Sequence, residues 1–205
     1  LFQRFDVQEI LMGYIIKTWK YGWRTYFGWR QESTPIEKVL LCFVFAFFTG
    51  VSAQIVIRLP FTPVPVTGQV FAVLLSGIFL GRYAGLSQIF YLAGGTVIPW
   101  FHGASFLSIG VTTGYIFGFI LAAWIVGYCV EKHQDKGFWL VAGSMMAGIF
   151  VIHLFGVMWL CTITKLSIIK GIMLGTVPFI FFDIMKAIIA IAIAKTVIPY
   201  NFDKI

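Results

Sequence analysis

Two long runs, Val111–Val130 and Phe138–Ile163, contain no Asp, Glu, Lys or Arg, and shorter apolar runs flank them on both sides. That continuity constrains the fold more than any other feature. A bilayer core about 30 Å thick takes about 20 apolar residues to cross as a helix. The runs are unbroken rather than alternating, so the backbone must satisfy its own hydrogen bonds as helices, not as barrel strands. The chain is 60% hydrophobic and 11% charged over 205 residues, against about 25% charged in a soluble domain. The reading is an all-α integral membrane protein.

Six transmembrane helices are expected, at about Ile36–Ile57, Val66–Leu80, Ala84–Gly95, Val111–Val130, Phe138–Ile163 and Pro178–Ile198. The second and third are short for a full crossing. They imply tilted, extended ends or a cavity that shields irregular backbone at depth. The organisation is an N-terminal segment 1–34, a membrane domain 35–200 and a tail 201–205. The first long apolar run is of span length and carries no processing site, so no cleavable secretory signal is expected.

Residues 1–34 are aromatic and basic. Lys17, Lys20 and Arg24, and Trp19, Trp23 and Tyr26, recur at helical spacing. This suits an amphipathic helix lying in the interface, aromatics at headgroup depth and cations toward anionic lipid. Thr34-Pro35-Ile36-Glu37 reads as a capped helix start. Ala46, Gly50 and Ala53 form a small-residue stripe on the first span, at which a second helix can approach closely, either within the bundle or from a partner. Leu59-Pro60-Phe61-Thr62-Pro63-Val64-Pro65 cannot continue a helix and reads as a stiff, extended connection. The connection from Gly94 to Gly110 is apolar, aromatic and broken by Gly and Pro, as expected of a functional lid. Lys165 and Lys170 flank a short amphipathic connection.

The net charge of +7 is a topology signal here, not a nucleic-acid signal. Six crossings put both termini on one side. That side holds eleven of the fifteen Lys and Arg, from Arg4 to Lys204; the other keeps three, Arg58, Lys165 and Lys170, and Lys186 lies within the last span. The positive-inside rule makes the first side cytoplasmic. A plasma-membrane protein with both termini cytoplasmic follows.

Asp183 and Lys186, three apart in the last span, share a helix face about one turn from each other. Buried charge is costly, about 2.5–3.5 kcal/mol at the bilayer centre, and marks a substrate pocket, an ion path or a relay by default. A structural ion pair is the plainer alternative. The pair lies one to two turns below the outer face, beneath the Gly94–Gly110 connection. A lysine holds a carboxylate or carbonyl, and a carboxylate accepts N–H donors. Trp100, Phe101 and Tyr115 would cover an apolar body. His102 falls in the lid, His133 in a polar turn, and His153 in mid-span, as a packed histidine bonded to a neighbouring helix. Cys42, Cys129 and Cys161 are read as buried thiols. No nucleotide-binding loop, metal spacing or cofactor motif is present in the sequence, so no ATPase, metal or cofactor is expected.

Leu59-Pro-Phe-Thr-Pro-Val-Pro-Val-Thr-Gly-Gln69, Tyr91-Leu-Ala-Gly-Gly95, Gly110-Val-Thr-Thr-Gly-Tyr-Ile-Phe-Gly-Phe119 and Pro178-Phe179 … Asp183-Ile-Met-Lys186 resemble, in order, the blocks of BioY proteins. These are the biotin-specific S components of energy-coupling factor (ECF) transporters. The likeness covers about residues 36–198. It implies a six-helix S-component fold, no enzymatic activity, and biotin bound near the outer face. The ligand-binding residues it implies are Asp183, Lys186, Tyr115, Thr113, Gly114, Phe101, Ser105, Gln69 and Tyr91. The partner surface it implies is Ala46, Gly50 and Ala53, facing a transmembrane coupling subunit that works with two nucleotide-binding ATPase subunits. The chain departs from the family at Val111-Thr112-Thr113, where Pro-Thr-Gly is usual, and at Phe182, where Gly is usual. Asp183 on a ureido N–H with Lys186 on the same head, or Lys186 on the carboxylate, both fit. An S component for another small vitamin, an intramembrane enzyme using Asp183 with His153 or Cys161, and a purely structural subunit are the competing readings.

Overall fold

A computed structural model describes residues 7–101, 110–132 and 137–198. The helices in chain order are α1 Val7–Glu32, α2 Pro35–Ser52, α3 Gln69–Leu80, α4 Ala84–Gly94, α5 Thr113–Lys132, α6 Phe138–Thr164, α7 Ile168–Gly175 and α8 Val177–Val197. A two-residue antiparallel ribbon pairs β1, Val56–Ile57, with β2, Val66–Thr67. Two expected spans are therefore trimmed. The first stops at Ser52 and the second starts at Gln69, because the flanking residues pair as strands around the proline-rich turn.

Five stretches have the length and apolarity to cross a membrane: Pro35–Ser52, Gln69–Gly94, Thr113–Lys132, Trp139–Thr164 and Val177–Val197. Gln69–Gly94 is not one rod. Gln69 bonds Tyr91, and Gln88 bonds Ser76, contacts that only a fold-back at the 3-10 turn Gly81–Tyr83 can make. Gly81 takes φ +61° there, a backbone region glycine enters without penalty. Thus α3 and α4 are an antiparallel hairpin.

Local chemistry sets the helix starts. Thr34 Oγ1 accepts from Glu37 N at 3.3 Å, and Glu37 Oε2 accepts from Thr34 N at 2.7 Å. This is the expected capping box, with Pro35 opening α2. Pro178 falls in the first turn of α8, where its missing N–H costs nothing.

α5 is the central helix, packed against α3, α4 and α6. Gly114 and Gly118 let α6 approach: a Cβ on Gly118 would stand 2.9 Å from Ile152 Cα, and one on Gly114 2.6 Å from Phe155 O. Gln88 is fully buried where α2, α3 and α4 meet. Its Nε2 donates to Thr49 Oγ1 at 3.3 Å, Ser76 Oγ at 3.4 Å and Ser87 Oγ at 3.1 Å. Each hydroxyl donates to its own helix, so each is left to accept, and the amide joins three helices.

The small-residue stripe is spent inside the molecule. Ala46 and Ala53 are buried, and a Cβ on Gly50 would meet Trp100 Cε3 at 2.7 Å. This corrects the partner surface expected at Ala46, Gly50 and Ala53: small side chains are needed there to admit α4 and Trp100. The outward face of α2 carries Leu40, Phe43, Val44 and Phe47 instead.

α1 docks by its C-terminal half. Trp19 Nε1 donates to Thr196 O at 3.2 Å, Tyr26 OH to Phe79 O at 3.1 Å, and Arg30 Nη1 to Phe79 O at 3.0 Å. Arg30 is 6% exposed. Burial pulls its pKa below the ordinary guanidinium value, opposed by the Glu131 carboxylate and the Tyr26 phenol. Burial likewise raises the Tyr26 phenol, opposed by Arg30. Ile10 to Trp19 remain exposed. Cys42 is buried, as expected, whereas Cys129 and Cys161 are half-buried.

Candidate ligand-binding site

At the end of the bundle opposite α1, the proline-rich turn, the starts of α3, α5 and α8, and the middle of α6 enclose a cavity of about 530 Å³. That is within the roughly 300–1,000 Å³ of small-molecule sites. Val64, Val66, Phe101, Ile116, Phe119 and Phe179 supply apolar wall, and Gln69, Thr113, Tyr115, His153, Asp183 and Lys186 supply polar groups.

Asp183 sits at the centre of the polar end, 3% exposed. Lys186 Nζ donates to its Oδ1 at 2.7 Å, and His153 Nε2 lies 2.9 Å from its Oδ2. Helical spacing places the lysine, one turn along α8. The histidine comes from α6 and is positioned from behind: its Nδ1 lies 3.2 Å from Gly175 O. Tyr115 OH donates to that same carbonyl at 2.7 Å, its ring laid across Gly156, where any Cβ would collide. Four helices, α5, α6, α7 and α8, thus meet in one polar chain beside the cavity.

A second polar group stands at the α3 entry. Thr67 Oγ1 donates to Gln69 Oε1 at 2.8 Å, and Gln69 Nε2 bonds Tyr91 OH. Tyr91 backs Gln69 without lining the cavity itself. Phe101 stands edge-on to Tyr91, ring centroids 5.1 Å apart. Gly110 N donates to Thr113 Oγ1 at 3.1 Å, shaping the α5 start. Thr62 Oγ1 donates to Leu174 O at 2.7 Å, tying the proline-rich turn to α7.

Of the nine expected ligand residues, Asp183, Lys186, Tyr115, Thr113, Phe101 and Gln69 line the cavity. Gly114 turns away toward α6 and borders an outer apolar groove with Trp124 and Trp159; its role is close helix packing. Ser105 and His102 lie outside the described residues, as does His133. Of the two departures from the BioY blocks, Val111–Thr113 line the cavity, while Phe182 does not and packs against the core. His153 and Arg58 line it without having been expected there. The one sign of His153 was that a carboxylate at depth needs more than one donor, and this is the one histidine within the two long apolar runs. Among the described residues no three His, Cys, Asp or Glu cluster as metal ligands do.

The sequence model of the BioY family matches residues 29–201. The "Biotin transporter BioY" of Thermotoga maritima is 38% identical over 143 residues, covering 67% of this chain and 83% of that protein. The "Probable biotin transporter BioY" of Pyrococcus horikoshii is 38% identical over 164 residues, covering 78% of this chain and 94% of its own. The fold resembles the crystal structure at 2.1 Å of the S-component for biotin from an ECF-type ABC transporter. The TM-score is 0.71 at 19% identity, over 80% of this chain and 93% of that one.

Proposed function

The chain belongs to the BioY family, and from that premise we propose that it is a biotin-binding S component that mediates biotin uptake. It is a multi-pass membrane protein of a transporter family, with no catalytic step assigned to the site. The observation that carries the reading is the apolar-walled cavity with Asp183 and Lys186 at one end. Biotin pairs a ureido head and an apolar body with an anionic tail, and each part has a counterpart among the lining residues. Asp183 accepts a ureido N–H, with Lys186 on the same head. Arg58, exposed at the mouth, is placed to face the tail carboxylate.

In this reading α2, α3, α4, α5, α6 and α8 cross the membrane and both termini are cytoplasmic. α1 lies along the cytoplasmic interface with its cations toward anionic lipid, and the cavity opens outward. Transport proceeds with a transmembrane coupling subunit and two nucleotide-binding subunits, or through the chain alone at low capacity. The α2 surface offered to the coupling subunit is the exposed one of Leu40, Phe43, Val44 and Phe47.

Equilibrium binding of labelled biotin to the purified protein tests the site. Removing one partner of a buried ion pair costs about 3–5 kcal/mol, so Asp183→Asn and Lys186→Ala should each weaken binding by about a hundredfold or more. Parent-like affinity in both variants would overturn the assignment. Binding of a different vitamin from a panel, and not of biotin, would overturn the substrate.

A further inference from the structure

We propose that the rim of the cavity is a capture surface for anions, on which Lys165 and Lys170, together with Arg58, draw a negatively charged ligand in and set its rate of entry. The connections that close this end of the bundle are residues 53–68, 95–112 and 165–176. They hold Arg58, Lys165, Lys170 and His102, and no Asp or Glu. Asp183 apart, every carboxylate side chain of the sequence falls in the N-terminal segment, at the α2 start, at the α5 end, in the α5–α6 connection or in the tail. Asp183 and Lys186 are bonded to each other, and as a pair they add no net charge.

Lys165 ends α6 and Lys170 lies in the first turn of α7; both are exposed. α7 folds back on the end of α6, with Gly171 seated against Cys161. Its far end reaches the cavity: Gly175 O accepts from Tyr115, and Leu174 O accepts from Thr62, both of them lining residues. Lys170 precedes Gly175 by about 7.5 Å of helix, inside the Debye length of about 10 Å at 0.1 M salt. Arg58 lines the cavity itself.

Local structure does not account for these cations. A lysine at the end of α6 suits the helix dipole, but Lys165 takes φ 55° there, a left-handed conformation that favours glycine. Lys170 stands near the start of α7, where the dipole opposes a positive charge. With this end facing outward, the positive-inside bias disfavours all three. Together they present one sign of charge around an apolar mouth, which concentrates ions of the opposite sign and speeds their association. Rim charges act on the association rate and its salt dependence, whereas charges buried with a ligand act on dissociation. Lys165 and Lys170 thus select by rate, for a monoanion over its uncharged analogue.

The identity of the anion rests on the biotin reading; the charge of the rim does not. Two measurements keep them apart. The first is the association and dissociation rates of radiolabelled biotin and biotinamide, its uncharged analogue, from about 10 mM to about 500 mM salt. The protein is held in phosphatidylcholine nanodiscs, which add no net headgroup charge. Association of biotin with the parent should slow about tenfold as salt rises, and that of biotinamide should stay flat. At low salt the double variant Lys165→Gln, Lys170→Gln should associate with biotin about threefold more slowly than the parent, and Lys165→Glu, Lys170→Glu about tenfold more slowly. Dissociation should be unchanged in both, and all rates should converge at high salt. Salt-independent association in the parent, an equal salt slope for biotinamide, or a change confined to dissociation would overturn the proposal. The second measurement needs no biotin. A fluorophore is placed on Phe61→Cys, an exposed position between the lining residues Leu59 and Thr62, with Cys129 and Cys161 replaced by serine. Its quenching by iodide relative to uncharged acrylamide should fall in the glutamine variant and fall further in the glutamate variant; equal ratios would overturn the proposal. Failure of the parent to bind biotin would sink the substrate reading, and the quenching ratio would still decide the charge of the rim.

Discussion

Gly127 and Gly81 meet backbone to backbone, the Gly81 carbonyl oxygen filling the space a Cβ on Gly127 would take. The contact seats the turn of the α3–α4 hairpin against α5. Beside it, Arg82 N donates to Glu131 Oε2 at 2.8 Å and Arg82 Nη2 to Glu131 Oε1 at 3.1 Å. Overpacking a tight contact costs about 1–3 kcal/mol, so Gly127→Ala should lower the thermal midpoint in detergent by several degrees. Gly143, also helical, has nothing within 4 Å of its would-be Cβ. Gly143→Ala should leave the midpoint unchanged or raise it, because alanine favours helix by about 1 kcal/mol.

Gly50 and Trp100 tie the α2 stripe to the cavity. The Trp100 ring lies over Gly50, its Nε1 donates to Tyr91 O at 3.0 Å, and Gln54 Nε2 donates to its carbonyl at 2.9 Å. Trp100 precedes Phe101, a cavity wall. Gly50→Val should therefore weaken biotin binding by the isolated protein about tenfold, with no coupling subunit present. Titration calorimetry reads this directly; unchanged affinity would mean that the ring has room to move aside.

Arg30 caps two carbonyls at the end of α3, Ile78 O at 3.3 Å and Phe79 O at 3.0 Å. Hydrogen bonds from a charged donor are worth about 1.5–3 kcal/mol. Arg30→Ala should release α1, so that trypsin cuts at Lys17, Lys20 and Arg24 faster than in the parent. Biotin affinity should hold, since the cavity lies at the other end of the bundle.

Tyr115→Phe removes one of two donors on Gly175 O. The carbonyl keeps His153, so the loss should be close to an ordinary hydrogen bond, about 1 kcal/mol, read as a lowered urea midpoint. Affinity should change only a few-fold, far less than in the Asp183 variants.

The parts of the molecule fixed by short-range chemistry were legible from residues alone. Thr34 and Glu37 announced the start of α2, Pro178 the start of α8, and Asp183 with Lys186 one face of the last helix. Gln69 and Tyr91, expected as separate ligand contacts, turn out to be joined across the hairpin, which no spacing along the chain displays. The stripe Ala46, Gly50 and Ala53 was equally consistent with an inner or an outer face, and only the position of Trp100 decides between them. His153 read as a packed histidine. It does bond neighbouring helices, yet its partners sit 22 and 30 residues away, beyond any local pattern.

The proline-bearing wall of the cavity is stapled at both ends, by the Val56–Thr67 and Ile57–Val66 pairing and by Thr62 on Leu174. A guest entering there meets a surface with little freedom left to surrender. Less of the gross attraction is consumed in ordering this wall, so capture at scarce concentrations becomes feasible with only a handful of polar contacts.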